Sequence, residues 1–224
     1  TATGDGNISQ QVTNETTDTL IATVAVTPTY TNAGEICTGP SKTFTITVNP
    51  TAQVNDIDSI VVCNGDSVDE IIFTTANTNG TTIYSWTNDT PSIGLVGPET
   101  GDIASFQATN DTNDPVVATI VVTPSYDDPL LCTGDPLIFT ITVNPTAQVD
   151  QPDSLILCNT DTATVDFTTS NGGDNSVTTY AWTVSGDDIG FPTATGDGNI
   201  SQQVTNETTD TLIATITVIP TYTN

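Results

Sequence analysis

The chain has 224 residues, 27 acidic side chains, a single basic one (Lys42) and no histidine, for a net charge of −26. That balance argues against nucleic acid as a partner, since phosphate contacts need Lys and Arg, and against docking on an anionic membrane face. No apolar run approaches the ~20 residues of a membrane-spanning helix. The apolar share of 35% is ordinary for a folded protein, and it is carried by Val, Ile, Tyr and Phe alongside abundant Thr, residues that fit a pleated surface.

Residues 1–50 read as the second half of a repeat unit. The run from Thr1 to Thr23 recurs unchanged from Thr193 to Thr215, so the chain starts and finishes at the same point of a two-unit period. It opens mid-pattern without Met and is expected to be a window on a longer protein, with no signal peptide of its own. Phe44-Thr-Ile-Thr-Val48 alternates an apolar face with a hydroxyl face, the two-residue period of a strand. Asn49-Pro50 should stop it, because proline has no N–H to give a ladder. The stretch Phe44 to Val54 returns letter for letter as Phe139 to Val149, 95 residues on. A fixed period of this kind is the signature of a modular array.

Residues 51–145 read as one complete unit. A split first strand covers Ala52–Val54 and Ser59–Cys63, and Asn64-Gly65-Asp66 is a turn. Glu70–Thr75 is expected as the second strand, Thr82–Thr87 as the third, Ser92–Val96 as a short crossing strand, and Ala104, Phe106 and Ala108 mark a fifth. Val116–Thr123 is a nearly continuous apolar strand that Pro124 should end. A loop over Ser125–Asp135 leads to a closing strand at Leu137–Val143. Residues 146–224 repeat the plan without its last strand, and Thr178–Thr183 matches Thr82–Thr87. Short strands spaced by Gly, Pro and Asn turns, with no helical period, predict an all-β chain of tandem antiparallel β-sandwiches set end to end. The expected core is centred on Trp86 and Trp182, with Tyr84, Tyr180, Phe44 and Phe139.

Four cysteines, Cys37, Cys63, Cys132 and Cys158, are spread too widely for a zinc site and read as disulfides of an oxidising location. Connectivity stays open. Cys63–Cys132 within one unit is favoured, Cys37–Cys63 with Cys132–Cys158 would cross the joints, and pairing with cysteines beyond the chain also fits; buried free thiols are the remaining reading.

Catalysis is poorly supplied. There is no His for a nucleophilic triad, and Leu137 replaces the lone Lys42 in the next copy. The chain is therefore expected not to be an enzyme and to need no cofactor, with calcium as the one candidate ligand. Its candidate sites are oxygen-rich turns, above all Asp111 and Asp114 in Asn110–Asp114 and Glu207 and Asp210 in Asn206–Asp210. Asp127-Asp128, Asp187-Asp188 and Asp56 with Asp58 are further candidates. Turn chemistry, in which Asn and Asp cap their own backbone, is the competing explanation.

Three recurring blocks resemble a known family: Val-Val-Cys63-Asn-Gly with Ile-Leu-Cys158-Asn; Tyr84-Ser-Trp86-Thr-Asn followed by Asp89-Thr-Pro-Ser-Ile-Gly94; and Cys132-Thr-Gly134 followed by Phe139 to Pro145. Across its whole length the chain resembles the Ig-like and PKD-like repeats of giant gliding-motility adhesins of Bacteroidetes. The PKD motif has an acidic, glycine-rich run after its Trp, whereas Trp86 is followed here by Thr-Asn-Asp-Thr and Trp182 by Thr-Val-Ser-Gly. What the resemblance implies is the shaft of a long cell-surface filament, exported by type IX secretion, moved by the gliding machinery, and touching external surfaces or polysaccharide through other regions. The immediate partners would be neighbouring repeats of the same chain. An alternative is a polysaccharide-binding array, or accessory modules of a secreted enzyme. The Asp-Ser/Thr-apolar triplets resemble the O-glycosylation signal that Bacteroidetes use on exported proteins, which would place glycans on Thr19, Ser59, Ser67, Ser154, Thr162 and Thr211.

Overall fold

A computed structural model describes residues 3–127 and 130–224, and every described element but one is a β-strand. The exception is a single 3-10 turn at Pro91–Ile93. In residues 1–50, β1 (Leu20–Val26), β2 (Thr29–Asn32), β3 (Glu35–Thr38) and β4 (Lys42–Val48) form two antiparallel pairs, β1 with β4 and β2 with β3. The β1–β4 ladder runs from Leu20 opposite Val48 to Val26 opposite Lys42.

Residues 51–145 hold β5 (Ile60–Cys63), β6 (Ser67–Val68), β7 (Thr81–Asn88), β8 (Glu99–Thr100), β9 (Phe106–Gln107), β10 (Val116–Asp127), β11 (Leu131–Thr133) and β12 (Leu137–Asn144). One sheet has the order β5-β12-β10-β7-β8, with β11 also on β10, and β6 pairs separately with β9. All contacts are antiparallel except β5 on β12. Both groups of strands feed one buried cluster: Trp86, Ile120, Val122, Phe139 and Ile141 from the large sheet, and Val68, Ile71, Phe73, Ile103 and Ala108 from the opposing segments. Tyr84 is half-buried against this cluster and meets Phe73 at 5.4 Å between ring centroids.

In residues 146–224, β13 (Thr162–Val165), β14 (Val177–Gly186), β15 (Thr195–Asp197), β16 (Ile200–Gln203) and β17 (Ala214–Thr223) form the sheet β15-β14-β17 and the pair β13-β16. A second, smaller cluster gathers Phe167, Trp182 and Ile200 with the half-buried Tyr180 and Val218. Trp182 donates its indole N–H to Gly198 O at 3.1 Å, a partner the buried Trp86 N–H lacks.

Several elements differ from the sequence reading. Glu70–Thr75 makes only an isolated bridge, Ile71 to Ile103, because Asp102 takes the Phe73 N–H (2.8 Å) and Thr74 O accepts from Asn55 N. Ala52–Val54 is not a strand: the Gln53 N–H goes to Asn77 Oδ1 at 2.8 Å rather than to a neighbouring strand. Ser92–Val96 gives way to the 3-10 turn, which Pro91 starts and left-handed Gly94 ends. Pro124 does not end β10. The neighbour of β10 changes there from β12, last paired at Val122, to β11, first paired at Ser125, so no ladder bond is asked of the missing N–H. Gly134 follows this break, and a side chain there would collide with the carbonyl of Ala52.

Phe44 is not a core residue. It is 47% exposed, while its counterpart Phe139 is 3% exposed. The cluster that buries Phe139 draws on Val68 of β6 and Trp86 of β7, which have no equivalents within residues 1–50, and Ile8, the counterpart there of the buried Ile200, is left exposed. This pair isolates the value of burial. Phe139→Ala should cost about 3–5 kcal/mol in urea unfolding followed by Trp fluorescence. Phe44→Ala, read by far-UV circular dichroism, should cost well under half as much.

Candidate functional site

The most elaborated polar structure lies where one repeat meets the next. It begins with a five-residue motif, Asn-x-Thr-x-Asp, present as Asn14–Asp18, Asn110–Asp114 and Asn206–Asp210. In each copy the Asn side chain organises the turn. Asn110 Oδ1 accepts from the backbone N–H (2.9 Å) and hydroxyl (2.7 Å) of Thr112, while its Nδ2 donates to Asp114 O and Val143 O. Asn14 and Asn206 repeat these contacts with Thr16 and Asp18, and with Thr208 and Asp210. This is side-chain capping of the local backbone, the reason Asn and Thr favour turns.

Two copies of the loop are docked. At the first joint, Thr78 N donates to Thr17 O at 3.0 Å and Asn79 Nδ2 to Asp18 Oδ1 at 3.1 Å. The Tyr126 hydroxyl donates to Asn79 O; with its proton used there, it accepts from Thr19 Oγ1 at 3.1 Å. Glycine at 80 is required, because φ is +73° and a Cβ would meet the Tyr126 ring. At the second joint, Gly172 N donates to Asn113 O (3.0 Å) and Gln148 Nε2 to Asn113 Oδ1 (3.1 Å). Tyr222 donates to Gly172 O at 2.7 Å. Asn64 reaches Thr146 Oγ1 at 2.9 Å, and Asn224 reaches Asn144 Oδ1 at 3.1 Å. The linker prolines Pro50 and Pro145 are fully buried. Asn77 and Asn171 clamp the chain that follows them, each donating at 3.0 Å to a linker carbonyl, Thr51 O and Thr146 O.

Sequence reasoning missed this site. Tyr126 is wholly buried in the first joint, Tyr222 half-buried in the second, and Tyr30 68% exposed. The available signal was the fixed spacing of Tyr30, Tyr126 and Tyr222 behind the Asn-x-Thr-x-Asp loops.

The calcium candidates Asp111, Asp114, Glu207 and Asp210 all lie on these loops and are exposed. Oxygens that would have to ligate are committed: Asn110 Oδ1 to Thr112 and Asp114 O to Asn110 and Thr112. Among the described residues no three acidic or cysteine side chains cluster. Asp187 Oδ2 accepts from Ile213 N (2.7 Å) and Asp188 Oδ1 from Gly190 N (2.9 Å), both backbone braces. Asp128 lies outside the described residues. Of the glycosylation candidates, Ser59, Ser67, Ser154, Thr162 and Thr211 are exposed, while Thr19 is half-buried in the first joint. Recesses beside the two Trp strands are lined by Ser85, Thr87, Glu99 and Thr100, and by Thr178, Tyr180, Asp197 and Thr221; each holds one carboxylate.

No two of the four thiols are bridged to each other, and Cys37, Cys63 and Cys158 are exposed rather than buried. The favoured pair is separated by the length of the sheet. Cys63 lies opposite Asn144, beyond the Val116–Val143 end of the β10–β12 ladder, and Cys132 lies opposite Tyr126 at the other end. At ~3.3 Å per residue they stand on the order of 30 Å apart, against the ~7 Å limit between Cα atoms of a disulfide. Cys37, beside Tyr30 at the end of its hairpin away from the first joint, is farther still from Cys63. Alkylation of the native chain followed by intact-mass measurement should therefore give four adducts; fewer would reveal a bridge.

One carboxylate is distinctly perturbed. Backbone Thr119 N donates to Asp89 Oδ1 at 2.7 Å, and Thr90 Oγ1 donates at 2.8 Å. These bonds hold the Asp89 carboxyl below its ordinary value. A depressed folded value stabilises the fold above the ordinary carboxylate range and loses that contribution as pH falls through the folded value. Asp89→Asn should therefore flatten the fall in melting temperature below about pH 4, leaving the general relief of acidic repulsion unchanged. An unaltered acid limb would remove Asp89 from the account.

No protein-family model matches the chain, and no curated protein matches it significantly.

Proposed function

We propose that the chain is a segment of the shaft of a long, cell-surface adhesin filament, built from Ig-like, PKD-like two-layer sandwiches joined end to end. In this reading residues 1–50 are the C-terminal part of one unit, 51–145 a complete unit and 146–224 a unit lacking its last strand. The filament supports surface adhesion and gliding, carries no catalytic site here, and reaches the outer surface by type IX export. The observation that carries the proposal is the paired joint: two successive linkers, 95 residues apart, bury their proline and make closely matching hydrogen bonds.

Further features support it. Each buried cluster draws on one repeat alone, Val54 to Val143 or Val149 to Val218, so length can be added without redesigning a core. A net charge of −26 opposes folding back or lateral clumping. Polysaccharide capture by stacking would need aromatics exposed on every unit; Trp86, Trp182 and Tyr126 are buried, and the exposed Tyr30 and Phe44 are buried at their counterparts Tyr126 and Phe139.

Small-angle scattering and negative-stain images of the native chain test this. An elongated particle, one sandwich wide, is the expected result; a compact globule would end the proposal. Retention of the chain on a glycan array would favour the binding-array alternative.

A further inference from the structure

The third Asn-x-Thr-x-Asp loop differs from the first two in one respect. Its interior is the same: Asn206 Nδ2 donates to Asp210 O at 2.8 Å, Thr208 Oγ1 donates to Asn206 Oδ1 at 2.7 Å, and Asn206 N donates to Asn159 Oδ1 at 2.8 Å. That last bond reproduces Asn110 N on Asn64 Oδ1, also 2.8 Å. Yet among the described residues nothing from another repeat reaches it. Thr209 O and Asp210 correspond to Thr17 O and Asp18, and to Asn113 O and Asp114, which in the first two copies face the following repeat. Thr211 is exposed where Thr19, the same position in the first copy, is half-buried against Tyr126.

We infer that residues 206–211 are a preformed docking surface for one more copy of the repeat unit, joined through the same Asn-Pro linker. The inference deepens the shaft proposal and rests on it. The occupant is set by the two filled examples. Its contacts are a backbone N–H at the position of Thr78 or Gly172, which donates to Thr209 O, and a tyrosine at the position of Tyr126 or Tyr222, whose hydroxyl closes on the neighbouring turn. The occupant also needs glycine beside the tyrosine. Gly80 at one joint and Gly173 at the other leave no room for a Cβ; at 173 it would lie 2.7 Å from Pro115 Cδ and 2.8 Å from the Tyr222 hydroxyl. Every hydrogen bond described across the two joints uses a neutral donor: backbone N–H, Asn or Gln amide, or Thr hydroxyl. An acidic loop can thus receive an acidic partner without cations.

The loops act as more than spacers. Each is braced internally by its Asn before anything docks, as the third copy shows, so docking demands little ordering. The same contacts made twice also set a repeated relation between neighbours, which turns a chain of units into a regular rod.

Asn224 occupies the position of Asp128, so the chain can be lengthened in register by appending its own residues 129–224. A second version, appending residues 129–145 alone, completes the last strand without supplying a docking partner. Amide resonances of Thr209, Asp210 and Thr211 should differ between these two lengthened chains. 15N relaxation should show the added unit tumbling together with its neighbour. Tyr222→Ala in the appended copy should return those resonances toward the shorter version. Identical resonances in the two chains, or independent tumbling of the added unit, would overturn the inference. Scattering separates that failure from failure of the shaft: an elongated chain with a loose joint sinks the docking surface alone, and a compact chain sinks both.

Discussion

A protein with one lysine against 27 acids can form at most one side-chain ion pair at Lys42 and cannot rely on ion pairs to hold its parts together. Its polar architecture therefore falls to neutral groups, and the side-chain amide of asparagine does most of it. Asn14, Asn110 and Asn206 organise loops, Asn77 and Asn171 clamp linkers, and Asn64 and Asn159 tie the Cys-turn to the loop beside it. Each amide supplies two donors and an acceptor from one rigid plane, enough to satisfy the backbone at a turn and still reach a neighbour.

This division of labour explains why most acids do not gather into sites. Asp66 and Asp161 accept the N–H of Cys63 and Cys158, Asp102 that of Phe73, and Asp187 that of Ile213. Each of these carboxylates is committed to its own turn by a charge-assisted bond, apart from the others. Asp187 and Asp188, which looked like candidate ligands, are themselves such braces.

Strand identity and the core were legible where the pattern was strong. Thr82–Thr87, Val116–Thr123 and Leu137–Val143 emerged as β7, β10 and β12, because alternation over six or more residues leaves one solution for a half-buried ladder. Trp86, Trp182 and Phe139 are buried as the alternation requires. Weak segments misled. Glu70–Thr75 has strand-like composition, yet its backbone is taken by Asp102 and Asn55, partners invisible to local propensity. Phe44 matches Phe139 letter for letter and is exposed all the same, since burial depends on what lies opposite.

The sequence by itself determined an all-β chain, its 95-residue period, the alternating faces of its long strands and a charge that must be carried on the outside. Those properties follow from local sterics, hydrophobic period and composition, which each stretch carries within itself. Only the tertiary structure decided that the four thiols stand apart, that Pro50 and Pro145 are buried, and that Tyr126 locks onto the repeat before it. Such facts depend on which residues meet from opposite ends of a strand or across a joint, distances that no window of sequence contains.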